Sequence, residues 1–188
     1  MNARKIAFTA WSVTGILGLT FAVGHYTGLR MNLTASAPLG IWRVTSLTAG
    51  TIARGELVEA CPSDAPIVGL MREHAYIAAG DCGLAGVARL LKRVAAVAGD
   101  HVTLHSGQPA RVNGSPLPNT VASARIPAWP DGEYIVPPGQ VWLFSSHSAG
   151  SFDSRYFGPV PIANVRGRAW PILIRGNAAT MTTGVSIP

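Results

Sequence analysis

Lysine and acid are scarce in this chain. Lys5 and Lys92 are its only lysines in 188 residues, against thirteen arginines, and aspartate and glutamate together number nine. The arginines stand singly or in loose pairs. The net charge of +6 therefore records a shortage of carboxylates, and with no basic run or nucleic-acid-binding motif we expect no nucleic-acid partner. Cysteine is confined to Cys61 and Cys82. With only His74 between them there is no four-ligand zinc pattern, and no metal is expected. No G-x-S-x-G stretch occurs, so the nucleophile elbow of an α/β-hydrolase is missing. Internal repeats and low-complexity linkers are absent too, which leaves room for one domain plus an anchor.

The anchor comes first. After Arg4 and Lys5, residues Ile6 to Val23 form an uncharged, mostly apolar run of eighteen residues, followed by Tyr26 and Arg30. At about 1.5 Å per residue such a helix reaches about 27 Å, enough to cross a bilayer. The run is long for a signal-peptide core and lacks a small-x-small site at its end, so it reads as an uncleaved anchor over residues 1–28. The basic pair ahead of it keeps the N-terminus cytoplasmic and delivers the rest across the membrane. Export makes a Cys61–Cys82 disulfide the expected state of the two cysteines.

Residues 29–176 then read as one mainly β domain, and 177–188, small and polar, as a flexible tail. "LGIWRVTSL" and "GELVEAC" alternate apolar and polar residues beside glycines, and "LLKRVAAV" is a short apolar run stopped by Gly99-Asp100. "HVTLHSGQPARVNGSPL" has hairpin turns at Ser106-Gly107 and Asn113-Gly114. "GEYIVPPGQVWLFSS" supplies two strands around Pro137-Pro138-Gly139, and "RGRAWPILI" closes the domain. The one helical candidate, Ile67 to Tyr76, is weakened by Gly69.

Three stretches carry chemistry. "NLTASAPLGIW" places Ser36 close behind the anchor, next to Ala37 and Pro38, in extended surroundings. "LLKRVAAVAGD" contains the single lysine beyond the N-terminus, flanked by Leu90, Leu91, Val94 and Ala95. "SFDSRYFGPVP" gathers Ser151, Asp153, Ser154 and Arg155 among aromatic residues. A chain that uses arginine for positive charge gains one thing from lysine: an amine that can be uncharged. An apolar flank lowers the ammonium pKa towards neutrality, whereas arginine keeps its proton. A neutral lysine is then a base able to activate a serine hydroxyl.

In this order the three stretches resemble the membrane-bound signal peptidases, and most closely their conjugative-transfer (TraF type) branch. The family's short serine box corresponds to Ser36-Ala37-Pro38. Its Lys-Arg box runs from Lys92-Arg93 to Gly99-Asp100, and its last box is Asp153-Ser154-Arg155-Tyr156. General signal peptidases have one more residue between serine and proline and a Gly-Asp-Asn segment where this chain reads "SSHSAG"; the shorter box follows the conjugative branch. The resemblance implies a signal-peptidase-like (LexA-like) β catalytic domain with a short helix. It also implies no cofactor, Ser36 as nucleophile and Lys92 as base. Thr34 and the Ser36 N–H become oxyanion donors, with Ser151 orienting the lysine and Ser154, Arg155 and Arg93 in support. Asp153 either supports the site or acts more directly, because the branch includes enzymes that close a pilin into a ring. The implied partners are a hydrophobic prepilin-like precursor, membrane lipid along the N-terminal helix, and other conjugative-transfer or type IV secretion components. The implied location is single-pass in the bacterial inner membrane, with the catalytic domain periplasmic. Two readings compete: a noncatalytic anchored β scaffold of a transfer apparatus, and a Ser–His–Asp hydrolase using His147 near Asp153.

Overall fold

The computed structural model describes residues 3–47 and 52–175; the expected tail lies outside them. It opens with helix α1 (Ala3–Tyr26), whose stretch Ala7–Gly24 has a mean hydropathy of 1.5 and is long and apolar enough to cross a membrane. The hydroxyls of Thr9, Ser12, Thr14 and Thr20 each donate to the carbonyl four residues earlier, so these side chains add no unsatisfied donor to the apolar surface. Thr27 and Gly28 alone separate the helix from strand β1 (Leu29–Asn32).

The rest is mainly β. In chain order follow β2 (Gly40–Thr45), β3 (Leu57–Ala60), helix α2 (Pro66–Glu73), β4 (Ala79–Cys82) and β5 (Leu90–Ala96). Next come β6 (His101–Leu104), β7 (Pro109–Val112), β8 (Ser115–Val121), β9 (Gly132–Ile135) and β10 (Gln140–Phe144). The short helix α3 (Ser154–Phe157), β11 (Val160–Pro161) and β12 (Val165–Ile174) complete the domain. Seven strands form one sheet in the order β1-β2-β12-β3-β5-β10-β11, and four form another in the order β8-β7-β6-β9.

The strands around Pro137-Pro138-Gly139 do not pair with each other. β9 joins β6 in the smaller sheet, while β10 joins β5 in the larger. β10 is almost wholly apolar, and its two faces serve two cores. Val141 and Leu143 pack with Val58, Val94 and Phe157, whereas Trp142 and Phe144 stack beneath the smaller sheet with Val102 and Val112. A strand apolar on both faces is what a position between two cores requires. In β5, Lys92, Val94 and Ala96 are buried and alternate with half-buried Leu91, Arg93 and Ala95, so the lysine stands on the strand's core-facing side.

Helix α2 starts with Pro66 in its first turn and buries Val68 and Met71; it stops at Glu73, short of the expected Tyr76, with Ala75 at φ 55°. Cys61, after β3, and Cys82, ending β4, are joined in a buried disulfide. Closing a loop of this length stabilises by about 3 kcal/mol in the chain-entropy account.

Candidate active site

The loop that carries Ser36 is residues 33–39, between β1 and β2, and one asparagine organises it. Asn32 at the end of β1 turns its Nδ2 towards the carbonyls of Thr34, Ala37 and Pro38, each 3.0 Å away. Its Oδ1 accepts from the Thr34 N–H at 3.2 Å and the Thr34 hydroxyl at 2.9 Å. Such an Asx arrangement satisfies backbone groups that a non-repetitive loop leaves open. Thr34 Oγ1 in turn lies 3.3 Å from Ser36 Oγ. From the far side Ser145, just past β10, donates its hydroxyl to the Ser36 carbonyl at 2.5 Å. The loop leaves through Gly40 at φ 143°, where a Cβ would come within 2.1 Å of the Leu173 carbonyl oxygen, so only glycine lets β12 pass.

Lys92 is 2 % exposed, and its Nζ donates to Ser151 Oγ at 2.7 Å. Burial drives its pKa down from 10.5 to about 8; Asp153 opposes that shift and Arg155 adds to it. Ser36, Thr34, Lys92 and Ser151 all line one cleft of about 500 Å³, together with Leu91, Tyr76 and Phe152. The serine hydroxyl and the lysine amine thus share a cavity while bonding to different partners, Thr34 and Ser151. Resting sites commonly tighten only around substrate.

Beneath the lysine lies a buried ionic frame. Arg155 grips Asp153 bidentately, Nε to Oδ1 at 2.8 Å and Nη2 to Oδ2 at 2.9 Å, with both side chains out of solvent. Asp153 caps α3 by accepting from the Arg155 N–H and also accepts from the Ser145 N–H at 3.0 Å, so both carboxylate oxygens are engaged. The other Arg155 donors reach the carbonyls of Asn119, Val121, Ala149 and Ser151. The frame thereby fixes both hydroxyls that matter: Ser151, which holds Lys92, and Ser145, which holds the Ser36 carbonyl. Ser154 is fully buried and accepts from the Leu143 N–H, tying α3 to β10.

Two residues from the sequence stand apart. Arg93 points away from the cleft and donates to the Gly55 carbonyl at 2.7 Å. His147 is exposed, and Asp153, saturated by Arg155 and Ser145, has no lone pair aimed at it, so a Ser–His–Asp relay lacks its orienting carboxylate. Conversely, Asn32 and Ser145 escape a reading by motif. A polar residue two positions before Thr34 is an available hint for Asn32; Ser145 becomes visible only when β10 is brought against the loop.

A mainly β chain with an apolar N-terminal helix, and with a buried lysine and a braced serine in one cleft, matches a family model from residue 2 to residue 174: signal peptidase, peptidase S26. The chain belongs to that family. It is 39% identical to a probable conjugal transfer protein TraF of Sinorhizobium fredii, over 82% of this chain and 81% of that one. It is 37% identical to a conjugal transfer protein TraF of Agrobacterium tumefaciens, over 91% and 96%. A signal peptidase I of Mycobacterium tuberculosis shares 36% identity over 44% of this chain and 36% of its own. Among solved structures, a signal peptidase I from Enterococcus faecalis V583 aligns with TM-score 0.38 and 20% identity, covering 64% of this chain and 98% of that one.

Proposed function

We propose that this protein is a membrane-anchored serine endopeptidase with a Ser36–Lys92 dyad that processes an exported precursor, a prepilin in conjugal transfer. The observation that carries the reading is Lys92: a buried amine with its pKa lowered to about 8, on the wall of the cleft that also holds Ser36. A scaffold has no use for an ammonium kept out of water, because such a charge costs stability.

The chemistry follows from the groups present. Ser36 Oγ attacks the scissile carbonyl while Lys92 Nζ takes its proton. The Ser36 N–H and the Thr34 hydroxyl, once the latter turns from Asn32 Oδ1 to the substrate, stabilise the oxyanion. As the intermediate collapses, the amine leaves with the proton that Lys92 returns, and the acyl group stays on Ser36. Water resolves the acyl-enzyme to a linear product; the precursor's own N-terminal amine resolves it to a ring. Asp153 and Arg155 act as positioning residues through Ser151 and Ser145. The relatives named for conjugal transfer support the setting in conjugation.

The site works against the bilayer on the periplasmic side, with Arg4 and Lys5 holding the N-terminus in the cytoplasm. Met31, Ile41 and Leu173 stand in register across three neighbouring strands, β1, β2 and β12. Exposed Leu33 and Leu39 in the Ser36 loop, and Trp170 opposite Arg43, extend this apolar rim.

The test is Ser36→Ala in full-length protein co-expressed with a candidate prepilin. Folding and membrane insertion should be unchanged and processing abolished. Processing at the parent rate in that variant would remove Ser36 from the mechanism. Product mass separates the two outcomes, since a linear chain retains one water that a ring lacks.

A further inference from the structure

The cleft wall next to the dyad is not apolar. Glu59 on β3 faces Leu91 across the strand pair, one position along from Lys92, and is 7 % exposed. Its carboxylate takes Arg30 Nε from β1 at 3.0 Å and Arg89 Nη1 at 3.1 Å. Arg89 also grips Asp81 through Nε and Nη2. Arg30, Glu59 and Arg89 all line the cleft, while Asp81 lies outside it, exposed. The wall thus carries two guanidinium groups and one carboxylate, and Asp81 on the outer side of Arg89 brings the cluster to charge balance. Arg89 uses three of its five N–H donors on Glu59 and Asp81. Its side chain keeps 32% of its exposure, so its remaining donors are within reach of a ligand.

Resting on the peptidase reading above, we propose that this wall is a specificity subsite for a carboxylate of the precursor, with Arg89 as the group that reads it. Arg89 precedes Lys92 by three residues, which at about 3.3 Å each is about 10 Å. An extended substrate covers that distance in about three residues, so the carboxylate belongs about three residues from the scissile bond. It is either an Asp or Glu side chain or, in a peptide cut close to its end, the terminal carboxylate. A guanidinium pairs with a carboxylate in plane, while a buried Glu59 holds the fork in place and repels a misplaced acid.

The probe is a peptide library digested by full-length protein in detergent, with cleavage sites read by mass spectrometry. The expected result is about tenfold enrichment of Asp or Glu at one position about three residues from the cut. Arg89→Gln should flatten that position alone, and Arg89→Glu should turn the preference towards Lys and Arg. A C-terminally amidated library distinguishes the sources, because preference for a terminal carboxylate vanishes there and preference for a side chain stays. Since each preference is a ratio within one digest, a variant that is less folded still reports it. If the ion pairs of Arg89 only staple β3 to β4, the Arg89 variants will melt lower with every preference unchanged, and the subsite is overturned. Acidic preference absent from the parent overturns it equally. No cleavage beyond that of Ser36→Ala would instead strike the peptidase reading itself.

Discussion

Lys92 is held where its charge is a burden. The unfolded chain keeps the proton up to pH 10.5 and the folded chain only up to about 8. Stability therefore rises with pH between those values, and below about 8 the whole penalty is borne. The difference amounts to about 3 kcal/mol on the charged form at pH 7. Lys92→Met removes that penalty and forfeits the Ser151 hydrogen bond, worth about 1 kcal/mol. Urea melts should therefore find Lys92→Met inactive and at least as stable as the parent at pH 7. Lys92→Arg should be inactive and less stable, since a guanidinium cannot shed its charge. Turnover of the parent should climb with pH through about 8. Near-parent turnover by Lys92→Arg would dismiss Lys92 as the base.

The element that most depends on its surroundings is α3, four residues long and too short to be stable alone. Asp153 caps it and is clamped by Arg155. Asp153→Asn leaves the guanidinium buried without its counter-charge, a loss of about 3–5 kcal/mol. We expect its melting temperature and activity to fall together; an unchanged melting temperature would refute the support role. The sequence motif "SFDSRYF" marked these residues, but not how they act, because Arg155 works through carbonyls from 119 to 151 that only the fold gathers. Where alternation or a short apolar run meets turn residues, as in β2, β3 and β5, the elements were legible. β1, β4 and β11 were not: each has four residues or fewer and is held by its neighbours. Ser36, Lys92 and Ser151 were legible as a constellation through the order of their boxes. Asn32 and Ser145 were not, because their roles are bonds to a loop carbonyl or amide that carries no side-chain signature.

At the scale of the molecule, α1 ends at Tyr26 and β1 begins at Leu29, so the cleft cannot drift far from the end of the helix. On the proposed peptidase reading, a bilayer-spanning α1 therefore sets the height at which a bond is cut, which makes the protein a ruler measured from the lipid surface. Ten Gly/Ser residues inserted between Tyr26 and Leu29 add a reach of up to about 33 Å. Such an insertion should leave cleavage of a detergent-soluble peptide unchanged. In membranes it should release cuts at sites farther from the precursor's own apolar segment, mapped by product mass. An identical cut pattern in membranes would show that the precursor, and not the tether, sets the distance. On the proposed peptidase reading, with the tether intact, like sequences elsewhere on the same precursor stay whole simply by lying at the wrong altitude.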